Sequence, residues 1–179
     1  GAMHHEHVRM ADPREVALEL LAQAEYYEDA RAMLVVLSDA FAKRVSQTIE
    51  VEMKTLPRAA IIRKSLESQG EIYVVRNLEE AARLTNLIAP EHLSIQTEDP
   101  RAVFNRIQNV GCAVLGGGTS VAVGDYYAGP NHILPTGRRA RFSSQLTAED
   151  FRKVTSIISF SRERMASVAD DIVALANAE

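Results

Sequence analysis

The sequence predicts an α/β fold in which short parallel strands alternate with helices. Short apolar runs, such as residues 32–37 and 112–115, are separated by longer segments that open with helix-capping residues. The chain has 46% hydrophobic and 25% charged residues, the composition of an ordinary globular domain. Because parallel neighbours need a long crossover, usually a helix, the alternation indicates parallel pairing.

Local signals predict each element in order. Asp12 followed by Pro13 opens the first helix, because aspartate caps an N-terminus and proline fits the first helical position. Ser38 and Asn77 are further caps, and Gly70 ends a helix. The predicted elements are a helix over 13–28, a strand over 32–37, a helix over 39–54, a helix over 57–70, a strand over 72–75, a helix capped by Asn77, a strand over 93–96, a helix opened by Asp99 and Pro100, and a strand over 112–115.

The remainder is predicted to be a long loop and a C-terminal helical segment. Residues 116–145 are rich in Gly, Pro, Asn and Tyr without periodicity, and such loops in compact domains are usually functional. A strand is predicted over 155–160, and Ser161 is predicted to cap a last helix with an apolar stripe. The expected organisation is a tag remnant or disordered lead over 1–10, an α/β domain over 11–145 with its active-site loop over 116–145, and a helical segment over 146–179 that serves in dimerisation.

Charge and hydropathy exclude two classes of partner. The 179 residues carry a net charge of -4, so no broad cationic face is expected for nucleic acid. No apolar stretch approaches the roughly 18 residues that span a membrane. Cys112 is the one cysteine, and it is predicted to be a small buried hydrophobe in a reducing compartment. We therefore expect a cytoplasmic protein.

Two histidines outside the lead lie among polar groups in loop-like segments. Glu91 precedes His92, and this pair suits acid–base catalysis. Imidazole titrates near neutrality, and partial burial raises the pKa of a carboxyl group toward the same range. The alternative is a loop carboxylate beside a hydrogen-bonded histidine. Asp125 and His132 lie in the long loop and are suitable zinc or substrate ligands, although two ligands do not make a zinc site.

Two other loop features have alternative interpretations. The glycines at 116–118 follow a strand and offer N–H groups for phosphate, but they do not form a G-x-G-x-x-G pattern. The arginines at 138, 139 and 141 bind an anion or form an ordinary solvated surface.

Three motifs resemble the histidinol dehydrogenase family. They are Ala-Pro-Glu-His-Leu at 89–93, Gly-Asp-Tyr-Tyr-Ala-Gly-Pro-Asn-His-Ile-Leu-Pro-Thr at 124–136, and Arg-Phe-Ser-Ser at 141–144. The resemblance extends over nearly the whole chain from residue 11. It implies an incomplete Rossmann-like domain with a C-terminal helical extension, and a family reaction that oxidises L-histidinol to L-histidine with NAD in a zinc-containing homodimer.

The resemblance also implies a role for each matching residue. His92 is the proton acceptor from the alcohol and Glu91 activates water for the second oxidation. Gln23 and Asp125 match zinc ligands, while His92, Asp125, His132 and Glu179 match residues that contact substrate.

The chain departs from the family pattern in ways that affect cofactor binding. Tyr26 stands where the family has a histidine ligand, and a phenol with a pKa near 10 is a poor zinc donor. The fourth zinc ligand of the family is a histidine that lies beyond the position of Glu179. Family chains are more than twice as long, and their NAD-binding domain has no counterpart in these residues, so no NAD site is expected here.

Three functional hypotheses follow. The chain is a family segment that is inactive alone, or it is one part of a split enzyme that pairs with a longer family member. Otherwise it is a non-catalytic module that binds histidinol, histidine or a similar small molecule, or dimerises through its last helix.

Overall fold

A computed structural model describes residues 11–178, and these fall into two compact units that divide between Leu146 and Thr147. The lead over 1–10 and Glu179 lie outside the described residues. The α-helices and strands are α1 (Pro13–Ala24), β1 (Met33–Val36), α2 (Asp39–Glu52), α3 (Ala59–Gln69), β2 (Glu71–Val74), α4 (Leu78–Ile88), β3 (His92–Ile95), α5 (Pro100–Phe104), β4 (Cys112–Leu115), α6 (Val121–Tyr126) and α7 (Arg162–Ala178). Short 3-10 turns cover Met53–Thr55, Arg139–Arg141 and Ala148–Phe151.

The strands form two parallel pairs, and this confirms the predicted α/β class. β1 pairs with β2, with Met33 opposite Glu71. β3 pairs with β4, with His92 opposite Cys112. In each pair at least one helix lies between the two strands in sequence, as a parallel crossover requires.

The predicted helix caps are confirmed because each side chain accepts a hydrogen bond from a backbone N–H in the first turn. Asp12 Oδ1 accepts from Arg14 N at 2.8 Å, and Asn77 Oδ1 accepts from Glu80 N at 2.9 Å. Such a bond satisfies one of the N–H groups that lack an intrahelical partner. The other confirmed caps are Ser38 on α2, Asp99 on α5 and Ser161 on α7.

The main core lies where α1, α2 and α3 pack around β1. Its buried side chains come from alternate positions of β1 and from the inner faces of the three helices, and they include Val16, Leu21, Leu34, Val36, Val45 and Ile62. Ser65 is fully buried in α3, and its Oγ donates to the carbonyl of Ala30 at 2.8 Å. This bond fixes α3 to the segment that leads into β1.

Three secondary-structure predictions were wrong: the end of one helix, the lack of a helix in the long loop, and one strand. α1 ends at Ala24 instead of residue 28, since the following residues 25–29 are Glu, Tyr, Tyr, Glu and Asp and offer no apolar side chain to the core. The long loop contains α6, which Ser120 caps by accepting from Ala122 N. Residues 152–160 form no strand, because a strand needs a hydrogen-bonded neighbour and Ile157 is 91% exposed.

Two further observations concern the burial of Cys112 and the question of a membrane-spanning helix. Cys112 is half-buried, whereas the sequence predicted a buried residue. The residue of α6 that approaches the Cys112 sulfur is Gly124, which has no side chain to cover it. Among residues 11–178, no helix is both long and apolar enough to cross a membrane.

Candidate active site

The candidate site is built around the start of β3. α4 ends at Ile88, and the next residue, Ala89, adopts a left-handed conformation (φ 48°) and donates its N–H to the carbonyl of Thr85. The chain then passes through Pro90 to Glu91 and His92, which are consecutive residues at the entrance to the strand. The predicted acid–base pair therefore lies at one end of a parallel strand pair.

A close backbone approach at Gly111 fixes this entrance. Gly111 N donates to the carbonyl of Pro90 at 3.0 Å, and Cys112 N donates to the carbonyl of Glu91 at 2.8 Å. A Cβ at position 111 would lie 2.6 Å from the Glu91 carbonyl oxygen and 3.1 Å from Pro135. Glycine is required here because these backbones leave no room for a side chain.

α6 brings Asp125 to His92. Asp125 Oδ1 lies 3.4 Å from His92 Nε2, and the two side chains are 32% and 19% exposed. The sequence placed both residues in the site, but their separation of 33 positions gave no measure of the distance between them. The structure therefore joins the acid–base motif to the long loop.

Cys112 lies beside the same carboxylate. Burial and, to a smaller extent, the charge of Asp125 raise the pKa of its thiol above the ordinary value. The thiol is therefore protonated near neutral pH and is a poor nucleophile.

The residues on either side of His132 are held in place by burial and hydrogen bonds. Leu134 is buried, and the carbonyl of Ile133 accepts from Leu146 N at 3.0 Å. The side chain of Asn131 accepts from Ile133 N at 2.8 Å. His132 itself is exposed.

Two of the three loop arginines have a structural partner that the sequence did not indicate. Arg138 Nη2 donates to the carbonyl of Leu87 at 2.7 Å, and Arg141 donates to the same carbonyl. This carbonyl lies in the last turn of α4, where carbonyls lack intrahelical partners. These arginines therefore cap α4, which replaces both earlier interpretations for them.

The glycine loop lies close to one carboxylate of α1. A Cβ built on Gly117 would lie 2.6 Å from Glu15 Oε2, so this carboxylate is close to the loop. A carboxylate at that position repels an anion, and the phosphate alternative is therefore disfavoured.

The donors expected for zinc do not form a complete site among the described residues. Gln23 is exposed near the end of α1, and Tyr26 lies beyond that helix, is 77% exposed and makes an edge contact with Tyr27. Within residues 11–178, no three His, Cys, Asp or Glu side chains are grouped to hold a metal ion. Zinc usually needs at least three protein ligands, so this segment does not fit the metal by itself.

The structure is thus that of an α/β protein in which a histidine and a carboxylate lie at one end of a parallel strand pair. The family model for histidinol dehydrogenase matches residues 8–179, and the chain belongs to that family. The family uses NAD and zinc.

Relatives and a solved structure agree with this assignment. The histidinol dehydrogenases of Gluconobacter oxydans and Syntrophotalea carbinolica are each 48% identical, over 168 and 167 residues. Both matches cover 39% of the relative and more than nine-tenths of this chain. The crystal structure of histidinol dehydrogenase from Elizabethkingia anophelis superimposes with a TM-score of 0.87 at 29% identity, covering 94% of this chain and 39% of that one. The chain thus spans about two-fifths of the length of the proteins it matches.

The close approach at Gly111 predicts an asymmetry between two glycine substitutions. Gly111→Ala places a methyl group against backbone and should lower the free energy of unfolding by about 1–3 kcal/mol. Gly118→Ala is the matched control, because nothing lies within 4 Å of its added Cβ. Urea denaturation followed by circular dichroism measures both. Equal effects of the two substitutions would contradict the proposed backbone contact.

Proposed function

We propose that this chain supplies the acid–base residues for the oxidation of L-histidinol to L-histidine. The observation that carries the proposal is the 3.4 Å approach of His92 to Asp125, within motifs of a chain that belongs to the histidinol dehydrogenase family. A carboxylate accepts hydrogen bonds, so this pairing holds the proton on Nε2 and leaves the Nδ1 lone pair of His92 to accept one.

In this proposal His92 and Glu91 have different roles. In the first oxidation the substrate alcohol loses a hydride to NAD and its hydroxyl proton to His92. In the second, Glu91 would take a proton from the water that adds to the aldehyde, and the resulting hydrate anion would pass a hydride to a second NAD and become the carboxylic acid. His132 and Glu179 contact the substrate in this proposal, and Glu179 lies outside the described residues.

Further polypeptide is needed for this reaction. Gln23 and Asp125 leave the zinc site short of donors, and the relatives contain about three-fifths of their length beyond the matched part. We propose that the missing donors and the NAD site come from that part, whether it belongs to the same chain or to a longer family member. The site of action is the cytoplasm, since a single thiol needs no oxidising compartment.

Reconstitution with the remainder of a relative tests this function. The 179-residue polypeptide, with histidinol, NAD and zinc, should form no NADH at an enzymatic rate. Addition of the complementary part of the Gluconobacter oxydans relative should restore NADH formation. Glu91→Gln or His92→Asn should then reduce the rate at least about 100-fold, as loss of a general acid or base does.

A nearby carboxylate provides the control for that reconstitution. Glu98→Gln changes an exposed residue just beyond β3 and should leave the restored rate unaltered. NADH formation that is insensitive to Glu91 and His92 would contradict the assignment, as would full activity of the 179-residue polypeptide alone.

The second unit supports a homodimer. No residue of α7 is buried, and Ile172 and Leu175 remain 47% and 71% exposed. The preceding extended segment exposes Val154 and Ile158 at 89% and 82%. Exposed apolar side chains in such number mark an interaction surface. We propose that a second copy of the chain covers them.

Light scattering should therefore give a dimer mass for the wild-type chain. Ile157→Asp with Ile158→Asp introduces charges into the exposed apolar segment and should shift the population to monomer. Asp170→Asn and Asp171→Asn alter polar residues of α7 and serve as the control. A monomeric wild-type chain at all concentrations tested would contradict the dimer.

A further inference from the structure

A carboxylate on α1 contacts the helix that carries Asp125. Glu19 Oε2 accepts a hydrogen bond from the backbone N–H of Val121 at 3.3 Å, and the two residues are 102 positions apart. Val121 is the first residue of α6, and Glu19 is partly buried. This bond therefore connects the core helix α1 to the candidate site.

α6 needs such a connection because it is short and poorly packed. It has six residues, none of them buried, and isolated helices of this length are unstable in water. Its first N–H groups have no partner within the helix, and a negative charge beside them is favourable. Ser120 satisfies the N–H of Ala122, and Glu19 satisfies that of Val121.

The other face of α6 rests on β4. A Cβ added to Gly124 would lie 3.5 Å from Cys112 Sγ, so the helix backbone lies directly over that strand residue. Glu19 therefore holds the N-terminal end of α6, while Gly124 sits on the strand. Together the two contacts restrict both the position and the rotation of the helix.

Asp125 lies one helical turn after Val121, so a movement of the N-terminal end of α6 also moves its carboxylate. The separation of 3.4 Å between Asp125 and His92 is near the upper limit of a hydrogen bond. A small displacement of α6 is therefore enough to separate them.

We infer that Glu19 is a positioning residue that holds α6 so that Asp125 faces His92. It acts through the hydrogen bond that it accepts and does not touch the reacting atoms. The inference rests on the proposed function only in that His92 and Asp125 are the residues it serves. The sequence gives no sign of this role, because the partner of Glu19 is a backbone group on a distant element.

Three variants of the 179-residue chain test the inference by NMR at one fixed pH, without substrate or metal. Glu19→Leu removes the acceptor, Glu19→Gln keeps an acceptor oxygen, and Glu79→Leu is the same change on the exposed face of α4. The readouts are the solvent exchange of the Val121 N–H and the nuclear Overhauser effect between the His92 ring and the Asp125 β-protons.

In Glu19→Leu we expect exchange at Val121 to accelerate about tenfold and the His92–Asp125 effect to weaken, while exchange at Val45 in the core stays unchanged. In Glu19→Gln both readouts should return close to wild type, and Glu79→Leu should leave both unchanged.

Four results would overturn the inference. One is an unaltered Val121 exchange in Glu19→Leu. Another is faster exchange with an undiminished His92–Asp125 effect, because Glu19 would then cap α6 without positioning Asp125. The third is an equal loss of protection at Val45, and the fourth is a Gln variant that behaves like the Leu variant. Neither NMR readout requires catalytic turnover. Both therefore test the role of Glu19 even if the proposed function is wrong.

Discussion

The parallel pairing of β3 with β4 determines the arrangement of the candidate site. Its register sets His92 opposite Cys112, and the start of β4 passes so close to Glu91 that only glycine fits at position 111. The chain that follows β4 forms α6, which places Asp125 Oδ1 3.4 Å from His92 Nε2. His92 and Asp125 thus come from segments that are distant in sequence but adjacent in the fold.

Much of the fold was predictable because its signals are local. Asp12, Ser38, Asn77 and Asp99 each accept a hydrogen bond within the next three residues, so the sequence alone identifies the helix starts. Short apolar runs predicted β1 and β4 to within two residues. Placement of Glu91 and His92 at the entrance to a strand followed from the same local reasoning.

Features that depend on distant contacts were not predictable. The apolar residues 155–160 have strand-like composition, yet a strand requires a neighbour that composition cannot supply. α6 contains a glycine and is stabilised by Glu19 and Cys112 from elsewhere in the unit. Arg138 was assigned by its charge to an anion or to solvent, whereas its partner is a helix carbonyl. In each case the outcome depends on whether a distant partner is present, which local propensity does not show.

The account requires that His92 and Asp125 interact within this segment. A double-mutant cycle on the free energy of unfolding, with His92→Ala, Asp125→Ala and the double variant, measures that interaction most directly. We predict a coupling free energy of about 0.5–3 kcal/mol, the range expected for residues in contact. Effects of the two substitutions that add to within about 0.3 kcal/mol would show that the residues do not interact and would contradict the account.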